Sequence, residues 1–377
     1  MPPSRARGSA PDAILEIDLG AVSSNWRKLR QIVGPRVETG AVIKADAYGL
    51  GAAQVGPALA KAGCKLFFVA TLDEGLALRK ILPKSQIAVF EGLLPGAAGD
   101  FAKGKLVPVL NELSQIAAWR KFGQKFPGAR GNLPAIIHLD TGMARLGLSR
   151  GDWMKLAAEP SLLKGFKLAA ILSHLACADE PEHRKNPEQL AIFRDALSRL
   201  PNAPASLASS SAIYLGRDYH FQIVRPGAAL YGINPLPGQA NPMTPAVGLK
   251  AKILQVRDVD AGETVGYGAA HRVKRSSRVA TIAVGYADGW LRSGSDHGSA
   301  AISGRRVPVI GRISMDLLTL DVTGIDPRFA RAGAYADLLD KSYDVDQAAG
   351  AAGTIGYEFL TLLGKRYARV YRGGGAT

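Results

Sequence analysis

The sequence predicts an α/β protein: an N-terminal (β/α)8 barrel followed by a mostly-β C-terminal domain. Three observations carry this. Short runs that are apolar on both faces alternate with longer amphipathic stretches up to about residue 240, as buried parallel strands alternate with helices. A Pro/Gly-rich stretch, NPLPGQANPMTP, then interrupts the pattern. Beyond it come short alternating segments rich in β-branched residues. The expected divisions are a tail at 1–13, a barrel at 14–240 and a β domain at 241–377.

In chain order, the strand-like runs are Ala41–Ile43, Leu66–Val69, Ile87–Phe90, Leu106–Leu110, Ala135–Leu139, Leu168–Leu172 and Ala205–Ala208, then a last one at Ile223–Val224 or near Leu230. Helical patterns lie between them at Gln54–Ala62, Leu72–Lys80, Glu112–Lys125 and Pro187–Leu200. Roughly eight such units favour a closed barrel over a doubly wound sheet. No GxGxxG opens the first unit, which weakens a dinucleotide-binding reading. After the break, Lys250–Val256, Val279–Val284, Val307–Ile310 and Leu317–Val322 read as strands, and only Asp346–Ala352 reads as helix.

Hydrophobic residues make up 47% and charged residues 21% of the 377, as in ordinary globular proteins. No apolar run approaches bilayer length. The N-terminus MPPSRARGSAP has basic residues without an apolar stretch after them, so the cytoplasm is the expected location. The net charge is +15. The basic residues are scattered, so a basic solvated surface is favoured over nucleic-acid binding. Cys64 and Cys177 have neither metal-ligand nor disulfide-framework spacing.

Five motifs place polar residues at strand ends, and in a barrel the C-terminal strand ends form the active-site face. IKADAYGLG (43–51) puts Lys44 where apolar surroundings would lower its pKa and make it an amine nucleophile. The hydroxyl of Tyr48 could reach a phosphate. A lysine that simply snorkels out of the strand fits the same letters. IIHLDTGMARLG (136–147) presents Asp140 and Arg145, although an Asp-capped turn explains it equally. SHLACADE (173–180) offers His174, and lone histidines at strand ends are often structural. SLASSSAIYLG (206–216) supplies Ser209 and Ser210, a phosphate cradle or a plain serine cap. VRPGAALYG (224–232) brings Arg225 and Gly227 near the strand 7–8 loops where barrels often bind phosphate.

Together these motifs resemble alanine racemase, a pyridoxal phosphate (PLP) enzyme of fold type III. VGYADGW (284–290), GRISMD (311–316) and YEFLTLLGKRYARVY (357–371) extend the resemblance in family order over about residues 14–371. The resemblance implies a barrel plus a β domain, and a homodimer whose β domain completes the partner's site. It implies that Lys44 holds PLP covalently and is one base, with Tyr267 of the partner subunit as the opposite base. Tyr48, Ser210, Gly227, Ala228 and Tyr371 would bind the phosphate, with Ser209 beside them. Arg225 would face the pyridine nitrogen, buttressed by His174. Arg145 and the Met315 N–H would hold the substrate carboxylate, and Tyr286 would narrow the entrance. Two bases on opposite faces of Cα suit racemisation, and an arginine at the ring nitrogen would leave the ring a weaker electron sink. The implied product is D-alanine, the expected use peptidoglycan precursor supply; the chain itself does not separate that from alanine breakdown.

Three positions depart from the family pattern. His138 stands where many relatives carry a carbamylated lysine that orients the arginine, so Arg145 must be held another way, and activity is expected to survive. Ser209 replaces a usual Asn, with PLP binding expected to be retained. Ser314 replaces a common Cys. A broad-specificity amino-acid racemase stays open. A decarboxylase would usually be longer and carry an acidic partner for the ring nitrogen. A non-catalytic PLP carrier would resemble the barrel alone.

Overall fold

The computed structural model describes residues 10–126 and 132–374. The tail expected at 1–13 lies mostly outside the described residues. The chain forms two compact units, one of residues 22–230 with 234–244, the other of residues 10–21, 231–233 and 245–374.

The first unit is the expected barrel. Its parallel sheet runs in order through Ala41–Val42, Leu66–Val69, Gln86–Val89, Val107–Leu110, Pro134–His138, Lys167–Leu172 and Ala205–Ser206. Ile223–Val224 pairs in parallel with Glu38–Thr39. Hydrogen bonds from Gln222 N to Ala205 O (3.1 Å) and Arg225 N to Ala208 O (2.9 Å) join this last strand to one edge. Bonds from Gly40 N to Val224 O (2.9 Å) and Val42 N to Pro226 O (2.8 Å) join it to the other, and the ring closes. Leu66–Val69 and Val107–Leu110 are buried at every residue, which is why their sequences read as continuous apolar runs. Helices Ala52–Ala62, Leu72–Ile81, Leu113–Lys125 and Lys185–Arg199 fall where the periodicity places them, and Ala98–Lys103 and Arg150–Ala158 join them.

The second unit is built on an eight-stranded sheet. Its long strand Val247–Val259 pairs antiparallel with Tyr335–Leu339, Ser277–Ile282 and Ala13–Asp18. Here the expected boundary needs correcting. Ala13–Asp18 does not open the barrel; it pairs with Val247–Val259 on one side and Ala368–Arg372 on the other. Its burial alternates residue by residue, with Ala13, Leu15 and Ile17 inward, as in a sheet with one covered face. A second helix, Gly356–Leu362, accompanies the expected one, which spans Val345–Ala351. Among the described residues no helix is long and apolar enough to cross a membrane.

Candidate active site

Lys44 follows the strand Ala41–Val42 and opens an uncommon turn. Ala45, Asp46, Ala47 and Tyr48 all have φ of 52–56°, a run of left-handed backbone on non-glycine residues. Each such residue costs roughly 1–2 kcal/mol, so the surroundings must hold it. Glu74 does so: one carboxylate oxygen accepts from Ala45 N (2.6 Å) and the other from Ala70 N (2.8 Å). Asp46 then accepts from Ala52 N (2.7 Å) and starts the next helix. Lys44 is half-buried, and burial first, then the Arg145 cation, pulls its pKa below the usual ammonium range, while Glu74 pulls weakly the other way.

Arg145 rides a loop folded around one carboxylate. Asp140 accepts from the N–H groups of Gly142 (2.8 Å), Met143 (2.9 Å) and Ala144 (3.1 Å). The loop returns with Leu148 N bonded to His138 O (2.8 Å). Gln189, fully buried, ties it to its neighbour by donating to Thr141 Oγ1 (3.1 Å) and His174 O (2.9 Å).

At His138 the departure from the family pattern has a structural account. Asn111 spends its amide donors on Phe90 O (3.0 Å) and Val109 O (2.9 Å), so its oxygen faces His138 Nδ1 at 2.8 Å and must accept. The proton is therefore on Nδ1, and Nε2 is an acceptor. Burial, followed by Arg225, lowers the His138 pKa to about 4. Burial, then Arg225 and Arg145, lowers that of His174 to about 3. Both folded values lie below the usual 6.5, so the unfolded chain binds the extra protons. Stability should be complete above about pH 6.5 and fall as pH drops towards 4, by about 1.4 kcal/mol per pH unit per histidine. Urea unfolding of His138→Gln should show a shallower loss between pH 6.5 and 4.5 than the parent; equal slopes would reject the assignment.

Arg225 is buried beneath these groups. It donates to Ser206 Oγ and to Ser173 O (2.7 Å), and burial lowers its pKa to about 10. Next to it lies an anion cradle. Ser210 Oγ accepts from Gly227 N (3.0 Å) and Ala229 N (3.2 Å). With both acceptor positions taken, its own hydrogen is left to donate. The Ala228 N–H between them has no partner among the described residues. A Cβ on Gly227 would lie 2.5 Å from Tyr48 Oη, so only glycine lets that hydroxyl close over the turn. Ser209 precedes the cradle, half-buried. A dianionic phosphate beside a ring nitrogen and an amine-reactive carbonyl matches this set of donors, so the residues present fit PLP.

The second unit carries the other expected residues. Tyr267 is 68% exposed, in a turn between Thr264–Val265 and His271–Arg272. It borders a cleft of about 540 Å³ lined also by Arg312, Ser314 and Thr319. Tyr286 and Met315 are exposed. Tyr371 lies in the strand Ala368–Arg372, opposite Ile17. Motif reading did not find Glu74, Asn111 or Gln189, and it gave no role to Ser173 and Ser206, which open two of the quoted motifs. Glu74 had a local signal, since Thr71 and Glu74 form a capping box. Asn111 and Gln189 carry no local signature.

A closed barrel that carries a lysine of lowered pKa and the Ser210–Gly227 donor set at its strand ends, in a chain with a separate β unit, defines a class of barrel enzyme with an amine and an anion-binding turn on one face. The alanine racemase N-terminal domain model matches residues 17–235 and the C-terminal domain model residues 246–371. The chain belongs to the alanine racemase family and is an enzyme of that class, an amino-acid isomerase. It is 47% identical to the alanine racemase of Rhodospirillum rubrum, over 96% of each chain. It is 46% identical to a catabolic alanine racemase of Mesorhizobium japonicum, over 97% of this chain and 95% of that one. The crystal structure of alanine racemase from Bartonella henselae with covalently bound pyridoxal phosphate superposes with a TM-score of 0.91 at 40% identity, over 96% and 100% of the two chains.

Proposed function

We propose that this enzyme interconverts L- and D-alanine with PLP, using Lys44 and Tyr267 of the partner subunit as two bases in a homodimer. The observation that carries this reading is the Lys44 amine, depressed by burial and by Arg145, in a segment whose Val42 and Tyr48 pack against Gly227 of the Ser210–Gly227–Ala228 turn. PLP, when bound, supplies an electron-withdrawing ring that acidifies the proton on Cα. Lys44 tethers it and moves a proton on one face, and Tyr267 moves a proton on the other. Tyr48, Ser210, Gly227, Ala228 and Tyr371 hold the phosphate, with Ser209 beside it. Arg225 faces the ring nitrogen as a fixed cation and cannot donate a full proton there. His174, neutral at working pH, packs the ring's surroundings without adding charge. Arg145 and the Met315 N–H take the substrate carboxylate, and Tyr286 narrows the entrance. The two relatives' names include one called catabolic, so both supply of D-alanine to wall precursors and alanine breakdown are compatible uses.

The test is chiral assay of alanine and serine in both directions with PLP present. Racemisation of alanine well above serine supports the reading; comparable rates would favour a broad-specificity racemase, and none for either would reject it. The cradle makes its own prediction. Gly227→Ala should weaken PLP binding about tenfold or more, a loss of at least ~1.4 kcal/mol, because its methyl displaces Tyr48 Oη. Cofactor titration followed by absorbance checks this, and an unchanged Kd would reject the cradle.

A further inference from the structure

The second unit contains a charge cluster with no role in the reading above. Arg366 makes a two-pronged bond to Asp288, Nε to Oδ1 (2.6 Å) and Nη2 to Oδ2 (2.8 Å). Its remaining arm, Nη1, reaches Asp316 Oδ1 (2.7 Å). These carboxylates belong to two different segments. Asp288 closes the turn Tyr286–Asp288, and Asp316 directly follows Met315.

The two segments are already in register. Tyr286 N donates to Ser314 O (3.0 Å) and Ala287 N to Met315 O (2.9 Å). A Cβ on Gly285 would lie 2.4 Å from the carbonyl oxygens of both Ser314 and Met315, so the backbones are in close contact. Asp288 is buried and also accepts from Gly285 N (3.0 Å), so Arg366 grips the base of the Tyr286 turn. The Asp288 carbonyl in turn accepts from Gly364 N (2.9 Å), which brings the Arg366 segment alongside. The Met315 carbonyl is therefore pinned, while its N–H has no partner among the described residues.

The Asp316 arm is the informative one. Asp316 and Arg366 are both more than half-exposed there. Exposed pairs of this kind add little to stability. What the arm does anchor is the side chain of the residue next to Met315, while the peptide that carries the Met315 N–H is held on its other side by the bond from Tyr286 N to Ser314 O. A guanidinium spans both carboxylates in one rigid plane; a lysine ammonium has no such fork.

We propose that Arg366 is a positioning residue: by bridging Asp288 and Asp316 it holds the Met315 N–H and the Tyr286 ring at the spacing needed to receive the substrate carboxylate. This rests on the assignment of Met315 and Tyr286 to the substrate. Misplacing a binding donor by about 1 Å can cost up to about a hundredfold. The loss falls on substrate binding, because the bases and the cofactor cradle are not in this cluster.

The test uses the PLP-loaded enzyme as parent, Arg366→Lys and Asp316→Asn. It reads KM and kcat for L-alanine, the inhibition constant of propionate (a carboxylate without the reacting amine), PLP content by absorbance and Tm. Both variants should raise KM and the propionate constant together, about tenfold for Arg366→Lys and severalfold for Asp316→Asn, with kcat and PLP content near the parent's. A fall in Tm with KM and the propionate constant unchanged would overturn the proposal and leave a structural clamp. If Arg366→Lys does not fold, Asp316→Asn decides alone, since it removes only the exposed arm. A parent that neither racemises alanine nor binds propionate would sink the functional reading and this proposal with it. A parent that does both, with variants that match it, would sink this proposal only.

Discussion

Lys44→Ala is expected to abolish racemisation, with a loss of about 10⁴-fold or more in kcat, while leaving the barrel folded. The expectation follows from where the residue sits. Burial and Arg145 disfavour its ammonium, so the neutral amine is easier to reach than on a free lysine. Only the tethering and proton-moving group is lost, and positioned acid–base groups typically contribute about 10²–10⁴-fold by themselves. The left-handed turn Ala45–Tyr48 keeps its backbone supports in Glu74 and Asp46, so the substitution should not collapse the loop. PLP should bind weakly and reversibly, without the visible band of a lysine-tethered cofactor. Chiral assay and absorbance after gel filtration check both parts. Racemisation above about one hundredth of the parent rate would end the assignment of Lys44 as a base. The turn itself can be probed separately. Glu74→Gln keeps the shape but cannot accept at both Ala45 N and Ala70 N, and should cost about 1–3 kcal/mol in urea unfolding.

Much of the barrel was legible because its strands are buried on both faces. Leu66–Val69 and Val107–Leu110 could not be written in polar residues and still fill a closed parallel ring. Ala13–Asp18 was not placed correctly because its partners lie more than 200 residues away, in Val247–Val259 and Ala368–Arg372. An alternating strand names its buried face but not the sheet that covers it. The candidate site divides the same way. Lys44, Arg145, Ser210, Arg225 and Gly227 sit in motifs at strand ends. Some of their supports do not. Asn111, which sets the proton on His138, comes from a neighbouring strand 27 positions away, and Gln189, which holds Thr141 and the His174 carbonyl, comes from a helix. A residue whose role is one hydrogen bond to another strand leaves no pattern in its own neighbourhood.

Tyr267→Phe removes one oxygen from an exposed ring and is expected to cut racemisation by about 10²–10⁴-fold. The loss must be equal in both directions as kcat/KM, because L- and D-alanine have equal free energies and a catalyst cannot favour either. The asymmetry should instead appear in proton exchange. In D2O, the enantiomer whose Cα proton faces Lys44 should still exchange it, and the other should not. Loss of exchange from both enantiomers alike would remove Tyr267 from the second face. The same variant tests whether a site is shared between subunits. Lys44→Ala and Tyr267→Phe are each expected to be nearly inactive alone. If Lys44 and Tyr267 of one site come from different subunits, a mixed dimer has one intact site and one doubly broken site. Random reassociation of the two variants should then restore roughly a quarter of the parent rate, since about half the dimers are mixed and each has one working site of two. If both residues of a site came from one subunit, every site in the mixture would keep one lesion, and mixing would restore nothing.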